Sequence, residues 1–107
     1  MGSKNIMLKN YNKVTNKDSE KYIEAKLARE IKKAKGLCIK LLPLMFTGLP
    51  DRLILLPGGV IHFIETKSLG DSPRKRQLFV HRQLASLGFI VLIIDSNQKL
   101  NDFLKKI

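Results

Sequence analysis

Pro57-Gly58-Gly59 stands between two apolar, partly β-branched runs, Arg52 to Leu56 and Val60 to Lys67, and restricts this chain to folds with a tight hairpin at that point. Antiparallel strands place the start of one beside the finish of the next, so the hairpin draws Asp51 towards Glu65-Thr66-Lys67. Side chains alternate along a strand. Ile61, Phe63, Glu65 and Lys67 therefore leave one face, and His62, Ile64 and Thr66 the other. Two charges emerge on a face that is apolar one step earlier, a costly placement unless they meet a metal, a partner charge or a cleft. For an isolated Glu-X-Lys the ordinary explanation is a surface salt bridge at a strand end. Asp51 following Gly48-Leu49-Pro50 changes that balance, because Pro50 restricts the preceding backbone and Gly48 permits a tight approach, fixing how Asp51 is presented.

Around the hairpin the periodicities give an element order αβββαβα in a single domain. Asp18 or Ser19 caps a helix whose apolar positions Ile23, Leu27, Ile31 and Ala34 recur at helical spacing, with Gly36 as its stop. A buried strand is expected over Cys38 to Leu42, with Leu41-Leu42-Pro43-Leu44-Met45-Phe46 as an apolar approach to a loop at Thr47 and Gly48. After the hairpin, Ser72 can cap a helix with Pro73 in its first turn, Val80, Leu84 and Leu87 facing inward and Gly88 closing it. Phe89 to Ile94 reads as a strand covered on both faces. Asp95 or Ser96 begins a last helix that packs through Leu100, Phe103, Leu104 and Ile107. Residues 1–17 read as a flexible basic arm, with Met1-Gly2-Ser3 readable as a cloning remnant, and residues 18–107 as the folded domain.

The chain has 107 residues, room for one modest core, so chemistry and substrate grip must share one surface. Twenty Lys and Arg against nine acids give a formal net charge of +11, which favours a polyanionic partner: nucleic acid first, an acidic membrane surface or protein second. A basic ribosome-associated protein carries the same composition. No apolar run is long enough to span a bilayer, the N-terminus is too polar for a secretory signal, and the single Cys38 in an apolar run reads as a reduced, buried thiol of a cytoplasmic protein.

A hard cation such as Mg²⁺ takes carboxylate and carbonyl oxygens and retains several waters. Asp51, Glu65 and the Thr66 carbonyl offer three such oxygens on one side, with Lys67 placed to orient or deprotonate an attacking water. On the first helix, at about 100° per residue, Glu20 lies within roughly 20° of the centre of the apolar stripe and Glu24 about 60° from it. Glu20 is thus the inward-pointing helix acid, holding the ion directly or through water, with Glu24 as fallback; a plain first-turn charge is the competing explanation. Gln77 lies on the edge of the second helix's inner stripe with His81 one turn later, so both can face the hairpin. Arg74-Lys75-Arg76, together with Lys32, Lys33 and Lys35 and with Arg52 beside Asp51, form the expected phosphate-binding surface. The aromatics fall at core-like positions, and no base-stacking platform is apparent. These residues point to a metal-dependent nuclease; the rival is a DNA- or RNA-binding module without catalysis.

Taken together, the helix with Glu20, Gly48-Leu49-Pro50-Asp51-Arg52, Leu56-Pro57-Gly58-Gly59, Phe63-Ile64-Glu65-Thr66-Lys67, Gln77 and Leu87-Gly88-Phe89 resemble the VRR-NUC (virus-type replication-repair nuclease) family of the PD-(D/E)XK superfamily, over about Ser19 to Asp95. The usual family form has an aliphatic residue where this chain has Thr66. The resemblance implies an α/β fold with an αβββαβ restriction-endonuclease-like core, a mixed sheet flanked by helices, and here a short C-terminal helix. It implies a Mg²⁺ or Mn²⁺ requirement and phosphodiester hydrolysis in DNA, with Asp51, Glu65 and Lys67 carrying the core motif, Glu20 the helix carboxylate and Gln77 the family's glutamine position. Short standalone members, found in phages and bacteria, resemble Holliday-junction resolvases, so a homodimer acting on branched DNA in a bacterial or phage-infected cell is expected. Leu44-Met45-Phe46 is a candidate dimer contact, with loop packing as the alternative.

Overall fold

The computed structural model describes residues 16–107. Most of the expected arm therefore lies outside the described residues. The elements follow the expected order: α1 (Glu20–Lys33), β1 (Leu37–Lys40), β2 (Arg52–Leu56), β3 (Val60–Thr66), α2 (Lys75–Ser86), β4 (Val91–Ile94) and α3 (Asn97–Lys105). The four strands form one mixed sheet in the order β1-β2-β3-β4, antiparallel except for the β3–β4 pair, which is parallel. This is the α/β class expected, with α1 and α3 on one face of the sheet and α2 on the other.

The alternation in β2 and β3 decides where the core sits. Ile54, Ile64 and Ile94 face α1 and α3, where Ile23, Leu27, Ile31, Leu100 and Phe103 close over them. The Ser19 hydroxyl caps α1 by accepting the Tyr22 N–H, and Ser96 caps α3 by accepting that of Lys99. Asp18 Oδ1 accepts the Asn97 N–H at 2.7 Å, and Lys26 Nζ donates to Asn97 Oδ1 and Asn101 Oδ1 at 3.0 and 2.8 Å, clasping α1 to α3.

Several local expectations change. Helix α1 ends with Lys35, not glycine, in the left-handed region at φ 66°. Gly36 is required for space instead: a Cβ there would lie 2.5 Å from the Leu55 carbonyl oxygen. Strand β1 is shorter than Cys38 to Leu42 and largely exposed, because it is an edge strand and, among the described residues, no helix lies over Leu37 and Ile39. Cys38 is only half-buried, its thiol pKa pushed up by desolvation. Strand β4 is likewise an edge and begins only at Val91, so Leu92 is exposed within it, and Phe89 and Ile90 are exposed before it, where a doubly covered strand was expected. Leu87 also faces solvent, and Phe46 and Phe79 are exposed rather than core aromatics. Ser72 does not cap α2. That helix starts at Lys75 with Arg74 as its N-cap residue, whose N–H is accepted by the Gln77 side-chain oxygen at 2.8 Å.

Candidate active site at the head of the hairpin

The loop before β2 is seated on α2. Gly48, at φ 86°, brings its backbone so close to that helix that a Cβ would lie 2.7 Å from Val80 Cγ2 and 2.8 Å from the Arg76 carbonyl oxygen. Arg76 Nε donates to the Thr47 carbonyl and hydroxyl at 3.3 and 3.1 Å, and its guanidinium lies 5.9 Å from the Phe46 ring centre and 5.5 Å from that of Phe79. Pro50 is buried, and the Asp51 carbonyl accepts the Leu41 N–H at 2.8 Å. Asp51 is thereby fixed at the head of β2, and its Oδ2 reaches across to accept the Thr66 N–H at 3.0 Å and lies 2.9 Å from the Thr66 hydroxyl oxygen.

Glu65 and Lys67 leave the α2 face of β3. The Glu65 carboxylate is fully buried. Gln77 Nε2 donates to its Oε2 at 2.8 Å, and Lys67 Nζ lies 3.5 Å from the same oxygen. The other oxygen, Oε1, has no hydrogen-bond partner among the described residues; His81 Nε2, likewise without one there, sits 3.6 Å away. Gln77 therefore acts at both ends of its amide, holding the start of α2 with its oxygen and Glu65 with its nitrogen. Burial, then the charge of Asp51, pushes the Glu65 pKa up to about 7, opposed by Lys67. Burial holds the His81 pKa below its ordinary value.

On the opposite face α1 brings Glu20 and Glu24 to Asp51, one carboxylate oxygen of each lying within 4.8 Å of the others. Burial, followed by the charges of Glu24 and Asp51, raises the Glu20 pKa. Glu24 is engaged at both oxygens: Oε2 lies 3.1 Å from Arg52 Nη2, and Oε1 accepts the Thr66 hydroxyl at 3.1 Å. Among the described residues, no hydrogen bond or ion pair engages the Glu20 carboxylate.

The donor set suits a hard divalent cation. The crowded carboxylates of Glu20, Glu24 and Asp51 form a group that a cation would relieve. Glu65, buried on the other face of the sheet with a raised pKa, feels the charge of Asp51. A cleft of about 470 Å³ opens beside them, lined by Asp51, Lys67, Gln77, Arg74, Arg76 and Thr47.

Arg74 and Arg76 thus border the cleft as expected, and Lys75 lies exposed between them. Arg52 does not join them: it is 8% exposed and turned inward onto Glu24, because its place in β2 puts it on the α1 face beside Ile54. Lys32, Lys33 and Lys35 do not flank the cleft either. They close the far end of α1, about 20 Å along the axis from Glu20 at 1.5 Å per residue, and Lys33 pairs with Glu30 at 3.2 Å. The Arg52–Glu24–Thr66 chain was missed in the sequence, although the shared face of Arg52 and Thr66 was available from strand alternation.

A mixed sheet with helices on both faces and acids gathered at the head of its central hairpin defines a nuclease fold. A solved structure described as a VRR_NUC domain superposes with a TM-score of 0.71 at 29% sequence identity, covering 81% of this chain and 96% of that one. "Putative nuclease p44" of Acyrthosiphon pisum secondary endosymbiont phage 1 is 40% identical over 77 residues, which span 72% of this chain and 83% of that relative. No family model matches the chain. On this similarity in sequence and structure, the chain belongs to the VRR-NUC family of nucleases.

Proposed function

We propose that this protein is a Mg²⁺- or Mn²⁺-dependent DNA endonuclease that acts on branched duplexes such as Holliday junctions as a homodimer. The observation that carries the reading is the convergence of Asp51, Glu65 and Lys67 at one end of the β2–β3 hairpin, beside a cleft bordered by arginines. A divalent ion bound there supplies a Lewis acid for the phosphate and an acidified water. Asp51 and Glu65 would hold that ion together with the Thr66 carbonyl and Glu20, while Gln77 keeps Glu65 from rotating away. Lys67, whose ammonium lies 3.5 Å from Glu65 Oε2, would orient the attacking water as a hydrogen-bond donor and offset the charge developing on the phosphate. Arg74, Lys75 and Arg76 bind backbone phosphates, contacts that set register and salt dependence but carry little sequence preference.

The dimer reading rests on a different surface from the loop Leu44-Met45-Phe46. On the α2 side of the sheet, the row Leu37, Leu55 and Ile61 and the row Ile39, Leu53 and Phe63 make an apolar face that α2 leaves open at the β1 end. Such a face suits a second copy better than it suits water. Ile39→Lys is expected to yield a monomer in solution-mass measurements, and an unaltered mass for that variant would exclude this face.

The test of the activity is a cleavage panel of four-way junction, flap, nicked and linear DNA with Mg²⁺ or Mn²⁺. Asp51→Asn should abolish cutting and leave junction binding in Ca²⁺ largely intact. Cutting by that variant, or by the unaltered protein in excess chelator, would remove the mechanism. Equal cutting of every DNA form would remove the branched-substrate reading alone.

A further inference from the structure

We propose that the Thr66 hydroxyl is a positioning group for the metal seat, linking Asp51 to an Arg52-anchored Glu24 and thereby leaving Glu20 as the helix carboxylate that faces the ion. The inference rests on the metal-dependent reading above and deepens it.

Thr66 is wholly buried at the end of β3 on the α1 side of the sheet, the side opposite Glu65 and Lys67. Two carboxylates converge on its hydroxyl, and one of them is anchored in turn by Arg52. Asp51 Oδ2 lies 2.9 Å away, Glu24 Oε1 3.1 Å away, and the second Glu24 oxygen is held at 3.1 Å by Arg52 Nη2. Arg52, 8% exposed, also donates through Nη1 to the Asp51 carbonyl at 3.3 Å, so one guanidinium braces both the acid on the helix and the backbone that carries Asp51.

A hydroxyl has one hydrogen to give, so it serves one carboxylate at a time. Asp51 Oδ2 keeps the Thr66 N–H at 3.0 Å in either case, which frees the hydroxyl hydrogen for Glu24. Two consequences follow. Asp51 Oδ2 is occupied by Thr66, which leaves Oδ1 as the oxygen that turns towards an ion. Both Glu24 oxygens are likewise occupied, by Thr66 and Arg52, whereas Glu20 stands in the same acidic group with its carboxylate engaged by no described residue. Glu24 is thus part of the support and not a ligand. An aliphatic residue at position 66 would keep the backbone N–H and lose the link, leaving the Asp51 and Glu24 carboxylates facing each other with nothing between them.

Supports of this kind typically change metal affinity about 10- to 100-fold when removed. The test measures Mn²⁺ binding to the full chain without DNA, by electron paramagnetic resonance of the free ion. Thr66→Val should weaken binding about tenfold, while Thr66→Ser, which restores the hydroxyl, should stay within about twofold. Thr66→Ala gives the same reading should the valine methyl crowd the site. The double variant Thr66→Val/Glu24→Gln should lose no more than the weaker-binding single variant, since both break one link. Affinity unchanged in both Thr66→Val and Thr66→Ala overturns the proposal, and so does full additivity in the double variant, which would make Glu24 a ligand in its own right. Asp51→Asn separates the two levels: if it binds Mn²⁺ as tightly as the unaltered protein, the metal seat itself is wrong. If it fails to bind while the hydroxyl-free variants bind normally, only the Thr66 link is wrong.

Discussion

Replacing Glu65 by glutamine should stabilise the metal-free protein while abolishing its activity. The Glu65 carboxyl is fully buried, and its pKa rises from an ordinary 4.5 to about 7. That displacement corresponds to about 3 kcal/mol between its two protonation states. Because the folded-state value lies above the unfolded one, the folded chain holds the extra proton between pH 4.5 and 7, and stability falls as pH rises through that window. Below pH 4.5 there is no penalty, and above 7 it is complete. Glutamine has no charge to bury, and its amide oxygen can still accept from Gln77 Nε2. At pH 8 in chelator, Glu65→Gln should therefore exceed the unaltered protein by up to about 3 kcal/mol, on the order of 10 °C in Tm for a domain of this size. Near pH 4.5 the two curves should meet. Urea unfolding followed by circular dichroism at pH 4.5, 6, 7 and 8 reads the difference directly. A variant less stable than the parent at pH 8, or a difference that does not vary with pH, would refute the assignment of the buried charge. Adding Mg²⁺ at pH 8 should restore stability to the parent and not to the variant, since the ion can repay burial only where the carboxylate exists.

Gln77→Ala should lower cleavage about 10- to 100-fold, the usual scale for a support of a metal ligand, and should cost about 1–2 kcal/mol of stability from the lost N–H acceptor at the start of α2. Single Arg74→Ala and Arg76→Ala variants should each reduce the salt dependence of DNA binding by about one unit of slope, measured by fluorescence anisotropy in Ca²⁺. Lys32→Ala, at the far end of α1, should change that slope far less. Leu27→Ala removes a fully buried side chain between α1 and the sheet and should cost about 2–5 kcal/mol in urea unfolding.

The hairpin and the two faces of β3 were legible because both follow from local rules, turn chemistry and a period of two. They placed Asp51, Glu65 and Lys67 together before any tertiary information. The 3.6-residue stripe of α1 likewise put Ile23, Leu27 and Ile31 in the core and pointed Glu20 inward at the start of the helix. Burial of strands was not legible, because an apolar run is the same string whether it lies in the middle of a sheet or at its edge. β1 and β4 are the two edges, so Ile39 and Leu92 stay exposed despite their sequence context. Arg52 shows the complementary failure. A basic residue beside a catalytic-type aspartate invites a phosphate-binding role, yet alternation in β2 points it at α1, where Glu24 waits. Position along the chain identified Arg52 with the site; direction across the sheet removed it from the surface.

That directionality explains why so small a domain can build a site with support on every side. Consecutive residues Glu65 and Thr66 leave β3 on opposite faces, so the site straddles the sheet and draws on both flanking layers. α2 fixes Glu65 through Gln77, and α1 approaches Asp51 through Glu24 and Thr66. A slip of one residue in the β2–β3 register would send Glu65 into the α1 core and Thr66 towards α2, exchanging every support at once. The register is held at one end by the Pro57-Gly58-Gly59 turn, with Leu56 paired to Val60, and at the other by Asp51 Oδ2 accepting the Thr66 N–H. The second of these constraints belongs to the proposed metal seat. Asp51 thus pins the strand whose next residue sets Lys67 in place, and the same bond that assembles the site also specifies the fold around it.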